Sequence, residues 1–203
     1  MKIVCIGRNY ADHAKELGNA VPDEPVVFMK PSSAMIHNSK PFFIPAFTND
    51  VHYELELVYR ITNNGRHIEE QFAHRYYDSV GLGIDFTARD IQQKLKVKGL
   101  PWEKAKAFDG SAAMGEYVAL DSIPDPKNIN FQLFKNGEEV QTGQSSHMLH
   151  DINAIIAHVS QYFVLTVGDL IFTGTPAGVG KVEIGDHLIG KLEGKTLLDL
   201  RVK

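Results

Sequence analysis

The sequence predicts an α+β fold that is mainly β, and three observations support this expectation. Short runs of apolar and β-branched residues, separated by turn motifs, dominate the chain. Asn136-Gly137 lies between two such runs and is the strongest hairpin signal in the sequence. Nine of the 17 glycines lie from Gly137 onward, which indicates a turn-rich C-terminal half. Helical periodicity is confined to short stretches, so we expect few helices, at the periphery.

The N-terminal part is predicted to be an arm, over about residues 1–50, that precedes the β core. Residues 2–7 form an apolar run typical of a short strand, and a short helix follows from about Tyr10 to Glu16. Between Asn19 and Thr48 the chain is rich in proline, which donates no backbone hydrogen bond, so we expect an ordered arm without regular elements. These prolines are Pro22, Pro25, Pro31, Pro41 and Pro45.

The remainder, about residues 51–203, is predicted to be the β core of a single domain spanning 1–203. An acidic strand is expected over 53–61, ending at the turn Asn63-Asn64-Gly65. Thr87 to Asp90 has the spacing of a capping box and predicts a helix that Gly99 ends. Asp151 is expected to begin a second, amphipathic helix. Hairpins are predicted from the strand pairs 130–135 with 138–142 and 187–193 with 196–202.

Composition and charge exclude several classes of function. The 203-residue chain has a net charge of −4 and a pI of about 6.1, so no overall field favours nucleic acid or an anionic membrane. No apolar run reaches the length of a membrane span, and the N-terminus has no signal-peptide pattern. The single cysteine, Cys5, lies in an apolar run and is expected to be a small buried side chain. A cytoplasmic protein is therefore expected.

Two glycine-containing segments resemble nucleotide-binding motifs but do not match them. Arg8 and Asn9 follow Gly7, so the dinucleotide fingerprint that would follow a first strand is missing. In the segment 174–182 the second glycine of a phosphate loop is one residue too far along, and Val182 stands where a hydroxyl must bind magnesium. Both nucleotide-binding interpretations are rejected.

The most informative residues are the acids of the strand over 53–61. Glu54 and Glu56 are two apart, so both side chains project from one face, while Leu55 and Leu57 project from the other. Like charges about 7 Å apart repel, and a cation between them removes that cost. Asp85 ends another strand-like run and could complete an all-oxygen site for Mg²⁺ or Mn²⁺. The pair alone is more often a solvated strand face than a metal site.

Three further groups are candidates for chemistry, each with a simpler alternative. His13 and Glu16 are neighbours on the predicted short helix, where the carboxylate would make the imidazole a better general base; the alternative is a surface pair. Lys106 has small or apolar neighbours and could stabilise an oxyanion, or it could be a surface lysine with a buried stem. Arg89 and Gln92 begin a helix beside Asp85 and could hold an anionic substrate, or they could be ordinary surface residues.

Histidine spacing does not predict a zinc site. His52 shares a strand face with Glu54 and Glu56, but a partly buried, hydrogen-bonded histidine is a better interpretation than a ligand. His147 and His150 are the one close histidine spacing, and this pair alone does not supply the ligand set of a zinc site.

The order of motifs along the chain resembles the fumarylacetoacetate hydrolase family, in particular its short branch of acylpyruvases and oxaloacetate decarboxylases. Each motif is weak alone, but their joint order is specific and covers nearly the whole chain. The motifs are Gly7-Arg8-Asn9-Tyr10-Ala11-Asp12-His13, Met29-Lys30-Pro31-Ser32, Glu54-Leu55-Glu56-Leu57, Asp85-Phe86-Thr87-Ala88-Arg89-Asp90, Gly99-Leu100-Pro101-Trp102, Lys104-Ala105-Lys106 and Thr173-Gly174-Thr175-Pro176.

The resemblance implies a fold and a set of roles. The fold would be the family's mixed β-sandwich roll with short peripheral helices, expected as a homodimer. By similarity, Glu54, Glu56 and Asp85 would bind Mg²⁺ or Mn²⁺. The remaining positions would be a catalytic pair on a lid, His13 and Glu16; an oxyanion-stabilising Lys106; and the substrate-binding Arg8, Arg89, Gln92 and Thr175.

The activity implied is metal-dependent cleavage of a C–C bond in a small 2-oxo acid, either hydrolysis of an acylpyruvate or decarboxylation of oxaloacetate. Isomerases of 2-hydroxy-dienoic acids and 2-keto-4-pentenoate hydratases share the scaffold and the metal triad, and they remain an alternative. A non-catalytic binding protein with the same fold is an alternative of another class. Neither nucleic acid nor membrane is expected as a partner.

Overall fold

The computed structural model describes residues 1–16, 18, 21–36 and 40–203. Its helices are α1 Ala11–Glu16, α2 Arg89–Val97, α3 Glu103–Lys106 and α4 Ile152–Tyr162. Its strands are β1 Ile3–Gly7, β2 Val26–Lys30, β3 Met35–Ile36, β4 Val51–Tyr53, β5 Leu55–Ile61, β6 Tyr77–Asp85, β7 Thr87–Ala88, β8 Ala112–Ala119, β9 Asn130–Lys135, β10 Glu138–Gln144, β11 Leu170–Phe172, β12 Gly180–Lys181, β13 His187–Leu192 and β14 Lys195–Arg201. The predicted α+β fold, mainly β with short helices, is confirmed.

The strands form a large sheet and two smaller ones. The large sheet has the order β2-β1-β11-β5-β6-β8-β3, the second β10-β9-β13-β14 and the third β12-β4-β7. The large sheet is mixed, since β1 runs parallel to β11 and β3 parallel to β8. Leu55 and Leu57 of β5 join Leu133 of β9 and Leu188 of β13 in one apolar cluster between the two larger sheets. Cys5 is fully buried in a second cluster, as predicted.

The predicted hairpins are present, and local conformation explains them. Asn136 and Gly137 both have positive φ, 54° and 90°, as a two-residue hairpin turn requires. The terminal hairpin turns at Glu193 and Gly194, one residue earlier than predicted, again with both φ angles positive.

The expectation that the proline-rich arm lacks regular elements is wrong. β2 pairs antiparallel with β1 along its whole length, and β3 pairs with β8. The prolines leave this pairing intact because Pro25 and Pro31 lie immediately outside β2, where no ladder hydrogen bond depends on them.

The acidic strand predicted over 53–61 is interrupted. It divides at Glu54 into β4, which belongs to the three-stranded sheet, and β5, which belongs to the large sheet. The backbone N–H of Leu55 donates to Oε1 of Gln141 rather than to a neighbouring strand, so the ladder breaks at this point.

Helices α2 and α4 lie where they were predicted, but the prediction of a capping box at the start of α2 is wrong. The N-cap residue Ala88 makes no side-chain cap. The carboxylate of Asp90 instead accepts from Thr48 and from the N–H of Ile91. In α4, Asp151 does cap the helix by accepting from the N–H of Ala154. The longest helix among the described residues, α4, has 11 residues, which is too few to span a bilayer.

Candidate active site

A corner between two sheets places the acidic residues. β5 pairs with β6 in the large sheet. β4 lies just before β5 in the chain and β7 just after β6, and β4 and β7 pair with each other in the three-stranded sheet. Glu54 lies at the break between β4 and β5, and Asp85 ends β6 just before β7. The N–H of Asp85 donates to the carbonyl of Glu54 at 2.9 Å, which joins the two sides of the corner.

Glu54, Glu56 and Asp85 converge at this corner. All three are buried, and each offers a carboxylate oxygen within 4.8 Å of the others. Glu56 is held by the backbone N–H of Gly174, 2.6 Å from its Oε2. Gly174 has a φ of +99°, and an added Cβ would lie 2.8 Å from Cβ of Asn9, so this close approach requires glycine. The sequence prediction that the three acids form one cluster agrees with the structure.

Lys106 lies inside the acidic cluster. Its Nζ is 2.8 Å from Oε2 of Glu54, 2.8 Å from Oδ2 of Asp85 and 2.6 Å from the hydroxyl of Thr87. Burial lowers the pKa of this amine, but Asp85 and Glu54 outweigh burial and raise it, so Lys106 is charged. It is a buried cation aimed at the site, and the alternative of a surface lysine is wrong.

Lys30 is a second buried lysine, and it was not among the predicted site residues. Its Nζ lies 2.8 Å from Oδ1 of Asp85 and donates to the carbonyl oxygens of Lys106 and Ser111. It thus fixes Asp85 from the side opposite Lys106 and anchors the end of α3. In the sequence Lys30 ends an apolar run, but no local pattern relates it to Asp85.

The surroundings of Glu54 and Glu56 shift the pKa values of the two carboxyl groups in opposite directions. Burial alone raises the pKa of Glu54, but the cations of Lys106 and Arg89 outweigh it and hold the pKa well below its usual range. Burial, reinforced by the charges of Asp85 and Glu54, raises the pKa of Glu56 well above its usual range. Among the ion pairs of the described residues, none gives Glu56 a cationic partner.

The site fits a hard divalent cation. Its donors are carboxylate oxygens, which suit Mg²⁺ or Mn²⁺ better than softer metals. A divalent ion would also supply the positive charge that Glu56 lacks. The residues that would hold it are Glu54, Glu56 and Asp85.

Arg89 and Gln92 lie one turn apart at the start of α2. Arg89 donates to Oε1 of Glu54 at 2.6 Å and to Oε1 of Gln92 at 2.8 Å. Because the Gln92 oxygen is occupied in this way, its amide nitrogen is left to donate into the pocket. Both side chains line the pocket that the acidic cluster opens into.

His13 and Glu16 form a pair on α1. The distance from Nδ1 of His13 to Oε2 of Glu16 is 3.1 Å, and His13 is buried in the pocket wall rather than on the surface. The second oxygen of Glu16 accepts from the N–H of Gly178, which ties α1 to the loop after β11. The ring nitrogen Nε2 of His13 is therefore the one that can exchange a proton.

The structure brings nearly all predicted site residues to one pocket. Arg8 and Thr175 line it together with the acidic triad, and the Thr175 hydroxyl accepts from Gln141 at 2.9 Å. Glu16 reaches the pocket only through His13. His52 is not in the pocket wall and is paired with Asp50 at 3.0 Å, as expected. The sequence interpretation missed further lining residues, namely Ile6, Gly7, Phe28, Lys96 and Trp102.

Comparison with known proteins agrees with this geometry. The family described as fumarylacetoacetate (FAA) hydrolase, C-terminal, matches residues 2–203, which is nearly the whole chain. The chain belongs to the fumarylacetoacetate hydrolase family. The resemblance expected from the sequence motifs is thereby confirmed.

Two curated members of the family are similar over nearly the full chain. Oxaloacetate tautomerase YcgM of Escherichia coli is 42% identical over 197 residues, covering 97% of this chain and 90% of the relative. The mitochondrial oxaloacetate tautomerase FAHD1 of Homo sapiens is 42% identical over 201 residues, covering 99% of this chain and 91% of the relative. These relatives act on a small oxo acid.

A solved structure of another family member has a similar fold. The fumarylpyruvate hydrolase of Pseudomonas aeruginosa, in complex with Mn²⁺ and pyruvate, superposes with a TM-score of 0.93 at 35% identity. The match covers all of this chain and 89% of that one. The family member with bound metal and 2-oxo acid thus shares the fold in which the acidic corner lies.

Proposed function

We propose that this fumarylacetoacetate hydrolase family member is an enzyme that forms and stabilises the enolate of a small 2-oxo acid, with keto–enol tautomerisation of oxaloacetate as its principal reaction. The observation that carries the proposal is the buried Lys106 ammonium, 2.8 Å from both Glu54 and Asp85, in a pocket that also holds His13 and Arg89. A fixed cation beside an acidic metal site is suited to negative charge that develops on a substrate oxygen.

We infer that residues at the start of α2 bind the substrate carboxylate. Arg89 is held by Glu54 and Gln92, so its guanidinium is oriented before substrate arrives. The Gln92 amide and the Thr175 hydroxyl add hydrogen-bonding groups to the same pocket wall. We infer that these groups orient the 2-oxo acid end of the substrate.

We propose that His13 is the base that accepts the proton from the substrate. In tautomerisation the C3–H bond breaks, its proton goes to Nε2 of His13, and the electron pair moves toward the C2 keto oxygen. Lys106 stabilises the negative charge there, and the proton on Nε2 of His13 then passes to that oxygen, which gives the enol and returns His13 to its neutral form. Glu16 holds the ring through Nδ1 and stabilises its protonated form.

When bound at Glu54, Glu56 and Asp85, a divalent cation supplies Lewis-acid polarisation of the 2-oxo acid. We propose Mg²⁺ or Mn²⁺, because the donor set is three carboxylates.

The same set of residues could also catalyse C–C bond cleavage. The His13–Glu16 pair, which could activate a water molecule, favours this cleavage as a second activity. In hydrolysis of an acylpyruvate, His13 would take a proton from water, which attacks the distal carbonyl, and pyruvate enolate would leave. Decarboxylation of oxaloacetate reaches the same enolate without water. Isomerisation or hydration of dienoic acids also proceeds through such a species and stays an alternative.

The proposal is tested by following the enol and keto forms of oxaloacetate, and pyruvate release from acetylpyruvate, on one preparation. We expect rapid tautomerisation that chelation abolishes and added Mg²⁺ or Mn²⁺ restores. His13→Gln should slow proton transfer while leaving cation binding intact, and His158→Gln, on α4 and outside the pocket, should change neither. Turnover that is indifferent to chelation and to His13 would contradict the proposal.

A binding protein without activity makes a different prediction. It would be stabilised thermally by a divalent cation with oxalate, yet it would not accelerate either reaction.

We further propose that the protein functions as a homodimer in the cytoplasm, and sedimentation velocity checks the oligomeric state.

A further inference from the structure

Lys96 lines the active-site pocket, although the proposed reaction gives it no role. It follows Arg89 by seven residues on α2, so two helical turns bring it to the same face as Arg89 and Gln92. Lys94 of the same helix is exposed and lies outside the pocket. Helical spacing therefore directs Lys96 toward the site.

The ammonium of Lys96 is held beside an aromatic ring. Its Nζ lies 5.8 Å from the ring centroid of Trp102, a distance at which a cation is attracted to an indole face. Trp102 is itself part of the pocket wall. The salt bridges of the described residues include none for Lys96.

The surroundings of Lys96 are strongly positive. Burial lowers its pKa, and the charges of Arg8, Arg89 and Lys106 lower it further. Arg89 and Lys106 are neutralised by the acidic triad, whereas no ion pair of the described residues neutralises Lys96 or Arg8. A divalent cation at the triad would add to this excess. The four cationic side chains of the lining exceed its three carboxylates by one, and with a divalent cation bound the excess would be more than one substrate carboxylate can balance.

We propose that Lys96 is a specificity-determining residue that binds a second carboxylate, at the end of the substrate remote from its 2-oxo acid group. The preferred substrates are then 2-oxo dicarboxylates rather than acylpyruvates with uncharged tails. The inference rests on the proposed function, since it assumes that Arg89 and Gln92 hold the first carboxylate. The attraction between the Lys96 ammonium and the Trp102 ring positions this charge before the ligand binds.

Calorimetric titration with two ligands that need no turnover tests this assignment. 2-Oxobutyrate has an uncharged tail and 2-oxoglutarate a charged one, and each is titrated into Mn²⁺-loaded protein. We expect Lys96→Met to weaken 2-oxoglutarate binding by about tenfold and to leave 2-oxobutyrate binding within about twofold. Lys96→Arg, which keeps the charge, should restore most of the loss, and the matched control Lys94→Met should change neither ligand.

Kinetics provide a second readout. For oxaloacetate, Lys96→Met should raise KM with kcat little changed, while KM for acetylpyruvate stays constant. Equal weakening of both ligands, or unchanged binding of 2-oxoglutarate, would overturn the assignment. Failure of the proposed function would be seen separately, as absence of turnover in the wild-type protein for every 2-oxo acid, because the titrations compare binding alone.

Discussion

The four-stranded sheet β10-β9-β13-β14 and the corner at Glu54 and Asp85 are stabilised in different ways. The sheet is made of hairpins whose turns need only local conformations, and its inner face is apolar. The corner buries carboxylates and lysines that come from distant parts of the chain. Burying charges costs desolvation energy that ion pairs only partly return, so the corner contributes little net stability. We infer that the sheet stabilises the fold, whereas the corner is retained for function.

The largest effect expected at the corner is loss of turnover on changing Glu54 to Gln. The substitution keeps the shape but removes the charge that pairs with Lys106 and Arg89 and that would bind the cation. We expect oxaloacetate turnover to fall by about a thousandfold or more, as measured with saturating Mg²⁺. Glu116→Gln, an exposed change on β8, is the control. A Glu54→Gln enzyme within tenfold of wild type would contradict the role of the corner.

Lys106→Met should have the next largest effect. Removing one preorganised cation from the developing oxyanion should lower kcat by about 100- to 1000-fold. The same change removes the positive charge between Glu54 and Asp85, so affinity for a divalent cation should rise. Lys104→Met, exposed on the same short helix, should alter neither quantity. A variant that lost cation affinity would show instead that Lys106 organises the carboxylates.

In the hairpin sheet, the opposite pattern is expected. Leu133→Ala removes a fully buried side chain from the core and should lower the free energy of unfolding by about 2–5 kcal/mol. Urea denaturation measures this loss, and kcat per folded molecule should not change. Ile184→Ala, at a site that is 77% exposed, should be nearly neutral in stability. A large fall in kcat for Leu133→Ala would remove the distinction between the two regions.

The hairpins and the acids also differ in how far the sequence predicts them. The turn at Asn136 and Gly137 was predictable because its backbone conformation depends on two adjacent residues. The clustering of Glu54 with Glu56 followed from strand alternation. Their roles, and that of Lys106, came from the resemblance to a family rather than from spacing.

What the sequence did not predict depends on long-range pairing. β2 was missed because it lies within the proline-rich segment and its partner β1 precedes α1. The break at Glu54 depends on the hydrogen bond from Leu55 to Gln141, 86 residues further along the chain. Lys30 was overlooked because only the folded chain brings it to Asp85. Local patterns could not supply these contacts.

A smaller, pH-dependent effect should distinguish the two glutamates of the corner. The pKa of Glu56 is raised in the metal-free protein, so lowering the pH adds a proton to Glu56 that the cation must displace. Glu54, whose pKa is lowered, stays ionised over the same range. Cation affinity should therefore begin to fall as the pH approaches the raised pKa of Glu56, and it should fall by up to about tenfold per pH unit below that pKa.

Calorimetric titration in buffers of different ionisation enthalpy measures the protons released on cation binding. We expect release of up to one proton, increasing as the pH is lowered. Binding that releases no proton and does not depend on pH would show that Glu56 is ionised without the cation.

We propose that Glu54, Glu56 and Asp85 together bind one divalent cation at the corner between the sheets. Anomalous diffraction from crystals grown with Mn²⁺ and oxalate would locate that cation. We expect a single strong peak about 2.0–2.2 Å from an oxygen of each carboxylate, with oxalate on its open side near Arg89. Ordered carboxylates with no anomalous peak among them, at saturating Mn²⁺, would contradict it.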